Sequence, residues 1–245
     1  MFDKRIVVIH DVAGDTMKPR RLENIIKVSK ALGYRFISLE EILNDRKRGL
    51  QLALTIDDAY KSCITTILPI LEKHNIKATL FVPTGLIGLK ATDPLLRVNE
   101  CYPDKDIITW DDLQQWKMRG QEIGYHTHCH IDMYHHSDSE IVDDFLAGIK
   151  CLSAQGLNVK YFAYPKGFLP KNKQLVENLF SEHGIECAFT INRGAVNIDN
   201  PYYIHRTTLG NKEKFLWSMC KIFGLEDFYF YHIKKSYVEA KLEKH

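Results

Sequence analysis

This sequence predicts an α/β fold: a parallel sheet with helices between its strands, curled into a closed or nearly closed β/α barrel or left as an open, doubly wound sheet. Three observations carry that prediction. Short apolar, β-branched runs alternate with stretches of helical periodicity along the chain, the mark of repeated βα units. About seven strand-like runs can be counted. The segments richest in chemically capable side chains fall just after apolar runs, where strands end and loops begin, and both architectures build their sites there.

The elements follow in order. Residues 5–10 (RIVVIH) form a β-branched run. Residues 19–32 place Leu22, Ile25, Ile26, Val28 and Leu32 at helical spacing and stop at Gly33. Residues 34–39 read as strand and 40–43 as a helical turn. Residues 52–56 (LALTI) are an apolar run of the buried parallel type. A helix is expected over 60–74, a strand over 78–82, a helix over 110–118 ending at Gly120, and a strand over 122–125. Ser137 and Glu140 have the spacing of a capping box, which starts a helix running to Gln155. Strand is expected at 160–164, helix at 171–183, strand at 188–191 and 203–208, and helix at 212–223. Residues 227–245 form a basic, aromatic-rich tail. The loop 89–106, with Arg97, Glu100 and Tyr102, is expected to shape substrate choice.

The 245 residues suit one large domain or two small ones, and 45% hydrophobic with 26% charged residues is ordinary for a globular chain. We read a single domain, 1–245, with the motif-bearing barrel at about 5–210 and a helical, aromatic tail at 211–245. A formal net charge of +2 lacks the basic excess of a dedicated nucleic-acid binder. The six cysteines form no CxxC pair, so reduced thiols are expected. The apolar run at 6–9 is too short for a signal-peptide core, and no stretch nears the roughly 20 apolar residues of a membrane span. A cytoplasmic protein is therefore expected. The sequence leaves the oligomeric state open.

Three segments carry chemistry. Thr55-Ile56-Asp57-Asp58-Ala59-Tyr60 sets two adjacent carboxylates after an apolar strand. Buried together they repel, and a metal ion relieves this: one aspartate binds it and the other stays free as a base. A solvated pair capping the next helix is the other reading of the same residues. Next, five histidines fall between His126 and His136. Histidine is the commonest metal-ligating side chain, and two histidines with one carboxylate make an open metal site. His126 and His130 are four apart and share a face if the segment turns helically. Finally, an aromatic strand runs into Pro165-Lys166-Gly167, a turn able to present backbone N–H groups to an oxyanion or merely to end the strand.

In this order the segments resemble the polysaccharide deacetylase family (NodB-homology, carbohydrate esterase 4). TIDDAY at 55–60 is similar to the family's TFDDG-like motif, His126-Thr127-His128-Cys129-His130 to its five-residue H-[S/T]-x-x-H unit, and FAYPKG at 162–167 to the FAYPYG of the poly-N-acetylglucosamine deacetylase branch. The stretches between motifs, at 68–88 and 108–124, also fit, so the resemblance spans about 7–209. It implies a distorted (β/α) barrel and a metal-dependent N-deacetylase acting on carbohydrate. Asp57 matches the base, and Asp58, His126 and His130 match the ligands of a divalent ion, usually zinc, with cobalt or nickel able to substitute. Lys166 would offer its backbone N–H to the oxyanion. Position 59 is alanine where the family has glycine, a mild change provided the backbone there is not at positive φ. Ala163 stands where many members carry the arginine that orients the base, and Arg206 is the residue we assign as that partner. For the general acid, His232 is the best local match, with His205 another candidate. The alternatives are a deformylase or other linear-amide hydrolase on a lipid- or nucleotide-linked amino sugar, and a catalytically silent metal- or sugar-binding relic.

Overall fold

The structure, a computed structural model, describes residues 4–13, 16–44, 49–98, 105–192, 194–210 and 212–227. Its strands are β1 (Lys4–Ile9), β2 (Arg35–Phe36), β3 (Gln51–Ile56), β4 (Ala78–Val82), β5 (Glu122–Tyr125), β6 (Tyr161–Ala163), β7 (Cys187–Phe189) and β8 (Thr207–Thr208). The helices are α1 (Pro19–Ala31), α2 (Leu39–Asn44), α3 (Leu68–His74), α4 (Pro94–Val98), α5 (Trp110–Met118), α6 (Asp138–Ala154), α7 (Lys173–Glu182) and α8 (Phe215–Ile222). Every paired strand is parallel, in the order β7-β6-β5-β4-β3-β1-β8, with β2 beside β3.

One segment turns this sheet into a barrel. Ile204 bridges Phe189 of β7, and three residues on, Thr207 and Thr208 pair with Val7 and Val8 of β1. The same stretch of chain thus bonds both edges, and seven strands form the ring. The seam is only a few residues long, which is why the barrel is distorted. β2 lies outside the ring: it takes the start of β3's free edge (Arg35↔Gln51), whereas β4 takes the end (Leu54↔Ala78).

Strand alternation sorts the core into two faces. Ile6, Ala53, Phe81, Tyr161, Ala163, Phe189 and Ile204 pack together inside the ring, while Val7, Ile9, Leu52, Leu54, Ile56, Leu80, Val82, Tyr125 and Phe162 face the helices. The interior is tight: a Cβ on Gly124 would stand 2.4 Å from the Phe81 ring.

Several elements differ from the sequence expectation, each for a local reason. The strand expected at 34–39 is two residues long, because the Glu41 carboxylate accepts from Ser38 N–H and Oγ while the Glu41 N–H donates to Ser38 Oγ, a cap that starts α2 at Leu39. The helix expected over 60–74 is a π-turn at Cys63–Ile67 followed by α3. Pro69 has no N–H to continue the regular ladder, and the Leu68 N–H bonds to the Cys63 carbonyl, five residues back. The loop at 89–106 contains α4. Residues 100 and 102 and the side chain of Arg97 lie outside the described set, as do the tail 228–245 and therefore His232. Among the described residues five cysteines are free thiols, and no helix is long and apolar enough to cross a membrane.

Candidate metal centre and cleft

An open cleft of about 330 Å³ lies at the C-terminal end of the barrel, lined among others by His10, Asp57, Asp58, Tyr60, His126, His130 and Lys166. The parity of the strands puts three of these there. His10 follows Ile6 and Val8 on β1, Asp57 follows Ala53 and Thr55 on β3, and His126 follows Gly124 on β5. All have the inward phase, one step past a strand end.

Asp58 has the outward phase and reaches the cleft because the backbone turns. Asp58 (φ 75) and Ala59 (φ 55) are both left-handed. The condition for a mild change at position 59 is therefore not met: an alanine sits where glycine would be relaxed, and each such residue costs about 1–2 kcal/mol. The turn delivers a return, since both carboxylates now face one cleft. His130 arrives in a comparable way. Residues 126–130 form neither helix nor strand, so the expected helical i, i+4 face does not exist; left-handed Thr127 (φ 64) and His130 (φ 56) fold the loop back instead.

Asp58, His126 and His130 each offer one donor atom, all within 4.8 Å of one another and all buried. The Asp58 Oδ1 atom lies 3.4 Å from His126 Nε2 and 3.3 Å from His130 Nε2. A direct charge-assisted hydrogen bond would be about 2.7–2.9 Å. For bonds of about 2.0–2.1 Å, the donors of a tetrahedral ion stand about 3.3–3.4 Å apart. The donor set fits a divalent ion of that kind. His126 Nδ1 is 2.7 Å from the Ala163 carbonyl oxygen, so Nδ1 carries the proton and donates, leaving the Nε2 lone pair toward the centre. Burial pushes the Asp58 carboxyl up, but the neighbouring His126 and His130 rings outweigh it and hold the group well below the ordinary carboxylate range.

Beside this triangle, Asp57 is held by Arg206 in a two-pronged pair: Nη1 donates to Oδ1 and Nη2 to Oδ2, both at 2.7 Å. Arg206 is wholly buried. Its Nε donates to the Thr190 carbonyl at 3.1 Å, Nη1 also reaches Thr55 Oγ1 at 3.2 Å, and the guanidinium lies over Phe81 with Cζ 5.2 Å from the ring centre. Burial alone would raise the Asp57 carboxyl; the charge and hydrogen bonds of Arg206 reverse this and leave it below its ordinary value, so it is ionised at neutral pH.

Of the residues singled out from the sequence, Asp57, Asp58, His126, His130 and Lys166 meet at the cleft, with Arg206 directly behind Asp57. Lys166 is left-handed (φ 56) in a tight turn, followed by Gly167 (φ 73), where a Cβ would stand 2.1 Å from Ile191. His205 does not join them. It is flanked by the inward Ile204 and Arg206, so it has the outward phase, and its Nδ1 lies against Gly194. Besides His126 and His130, the cleft is lined by His10, which sequence reasoning passed over. The sequence offered only its phase on β1; the register supplies the rest, since Ile9 pairs with Ile56 and His10 and Asp57 leave adjacent strands at the same level, joined by the Asp57 N–H to the Ile9 carbonyl at 3.0 Å.

Comparison with known proteins agrees with this picture. The sequence profile of the polysaccharide deacetylase family matches residues 44–188. The poly-β-1,6-N-acetyl-D-glucosamine N-deacetylase of Staphylococcus aureus (strain MRSA252) is 25% identical over 219 residues, covering 82% of this chain and 70% of that protein. Among solved structures, IcaB from Ammonifex degensii superposes with a TM-score of 0.75 at 20% identity, over 91% of this chain and 97% of that one. The Streptococcus pyogenes deacetylase PplD, solved in complex with acetate, gives 0.70 at 20% identity, over 89% and 97%. At these identities the structural likeness speaks for the fold.

Proposed function

The chain belongs to the polysaccharide deacetylase family, a group of hydrolases of carbon–nitrogen bonds, and from that premise we propose that it is a metal-dependent N-deacetylase that removes acetyl groups from an amino-sugar polysaccharide or its precursor. The observation that carries the reading is one cleft holding both a three-donor triangle at metal-ligand spacing and a separate, arginine-held carboxylate. A site that only bound a metal would not require Asp57. The Staphylococcus relative is named for a β-1,6-linked N-acetylglucosamine polymer, and N-acetylglucosamine is the sugar class we assign here.

Asp58, His126 and His130 would hold the ion. Zinc is our assignment, from the donor set of two histidines and one carboxylate, with cobalt or nickel able to replace it. When bound, such an ion polarises an acyl carbonyl and lowers the pKa of water toward neutrality. The chain's own residues do the rest. Asp57, ionised and oriented by Arg206, takes a proton from the attacking water through a lone pair the guanidinium leaves open. The Lys166 N–H, on the cleft wall, donates to the carbonyl oxygen as negative charge develops there. His10, which lines the cleft beside Asp57 and Asp58, protonates the departing amine.

Acetate release from free, nucleotide-linked and oligomeric N-acetylated amino sugars tests this reading. Release should vanish on chelation, return with zinc or cobalt, and be lost in His130→Ala; a chain that binds one ion tightly yet releases acetate from none of these would overturn it. His10→Gln should lower kcat by about 10²-fold and flatten the alkaline limb of the pH–rate profile, because glutamine cannot supply a proton to the amine. An unchanged alkaline limb would remove His10 from the acid role.

A further inference from the structure

The loop that carries both histidine ligands is held from two sides, and one of the holders is a carboxylate. On one side, the segment after β4 takes the loop's carbonyls: Thr84 N–H donates to the Thr127 oxygen at 3.2 Å and Gly85 N–H to the His128 oxygen at 2.8 Å. Thr84 Oγ1 also lies 2.9 Å from His128 Nδ1. This approach is close enough that a Cβ on Gly85 would stand 2.9 Å from the His128 ring and carbonyl. On the other side, Asp144 of α6 takes the amides. Its Oδ2 accepts from His128 N–H at 2.7 Å and its Oδ1 from Cys129 N–H at 2.8 Å.

Asp144 is itself positioned by the strand that leads into the ligands. The Tyr125 hydroxyl, one residue before His126, donates to the Asp144 and Phe145 carbonyls at 3.2 and 3.0 Å. Gly148 gives the room for this: a Cβ there would lie 2.0 Å from the Tyr125 oxygen. Helix α6 is thus locked in register against β5, with the Asp144 carboxylate over the middle of the loop.

We propose that Asp144 is a positioning residue of the metal centre: by accepting two consecutive backbone amides it keeps the left-handed turn at 127–130 closed, so that His130 stands beside His126 and Asp58 before any ion arrives. The proposal rests on the metal-binding reading above. A carboxylate is the side chain this task requires, because two parallel N–H donors need two acceptors on one carbon; an asparagine supplies one acceptor and one donor. Outer partners that orient ligands in this way commonly contribute about 10–100-fold to metal affinity.

The test uses cobalt(II) as the probe, titrated into the metal-free full chain against a competing chelator, with the visible absorption of the bound ion recorded alongside. The proteins are wild type, Asp144→Ala, Asp144→Asn and, as a control, Asp143→Ala at the exposed neighbouring position. Asp143→Ala should match wild type. Asp144→Ala should bind cobalt about 10–100-fold more weakly, with a changed spectrum as His130 leaves its place, and Asp144→Asn, keeping one acceptor, should fall between. If the alanine variant does not fold by circular dichroism, the asparagine variant decides the matter. Folded Asp144 variants with wild-type affinity and spectrum would overturn the proposal, as would variants that only melt earlier while binding cobalt unchanged. A wild-type chain that binds no cobalt would instead sink the metal reading itself, and the positioning role with it.

Discussion

An Asp57→Asn protein should still bind one divalent ion per chain and release acetate about 10³–10⁴-fold more slowly than wild type. The ion stays because Asp58, His126 and His130 supply the whole donor triangle, and none of them is altered. The rate falls because an amide cannot take the proton from water. The substitution also touches the arginine. One 2.7 Å bond to Arg206 survives through the amide oxygen, while the amide nitrogen turns N–H groups toward the second N–H of the guanidinium. A buried cation is left short of its counter-charge, so the variant should also be less stable, and kcat/KM must be measured on protein shown to be folded. Retained metal with a near-wild-type rate would show that Asp57 is not the base.

That Asp57 could be singled out from the sequence at all follows from where it stands. A buried apolar strand announces itself by composition, and two carboxylates directly after one have few comfortable fates. The same logic made His126 and His130 legible, since histidines crowded behind a strand are hard to ascribe to packing. What could not be read was the backbone between them. Thr127 and His130 are left-handed in a sequence with no glycine there to advertise it, so four-residue spacing left a helical turn open that the fold does not make. The φ of Ala59, on which the cost of that alanine turns, was equally unreadable. Arg206 was legible as the partner of Asp57 only through the family resemblance. The contact spans 149 positions in the chain and depends on the seam that closes the barrel. His10 was missed although the period-two phase of β1 and its register with β3 would have placed it; register is a property of paired strands and cannot be read from one of them. The limits of the strands fell where side chains intervened, as Ser38 and Glu41 did at the end of β2.

The largest effect on stability is expected at Arg206. Replacing it with methionine preserves much of the volume inside the ring but strands the Asp57 carboxylate, which is only 2% exposed, without its cation. Losing one partner of a buried pair costs about 3–5 kcal/mol, more than either partner's removal from a solvated surface would. The pH dependence gives the effect a signature. In the wild type the Asp57 pKa lies below its ordinary value, so the pair's contribution is present above the unfolded carboxyl's pKa, near ~3.9, and is lost only as pH falls through the lower folded value. Without Arg206, burial dominates and drives the carboxyl the other way. The variant's deficit should therefore be large at neutral pH and shrink toward pH 4–5 (roughly, from the ordinary carboxyl range), where Asp57 binds a proton and no buried charge remains. Denaturant unfolding of the metal-free proteins at the two pH values measures this directly; a deficit independent of pH would mean that Arg206 acts through packing against Phe81 rather than through its charge. Combining the two substitutions separates the roles further. Asp57→Asn with Arg206→Met contains neither buried charge, so it should recover much of the stability that Arg206→Met loses, while acetate release stays at the level of Asp57→Asn. Stability and catalysis would then respond oppositely to the same second mutation, as expected if the arginine is kept to hold the base rather than to hold the barrel.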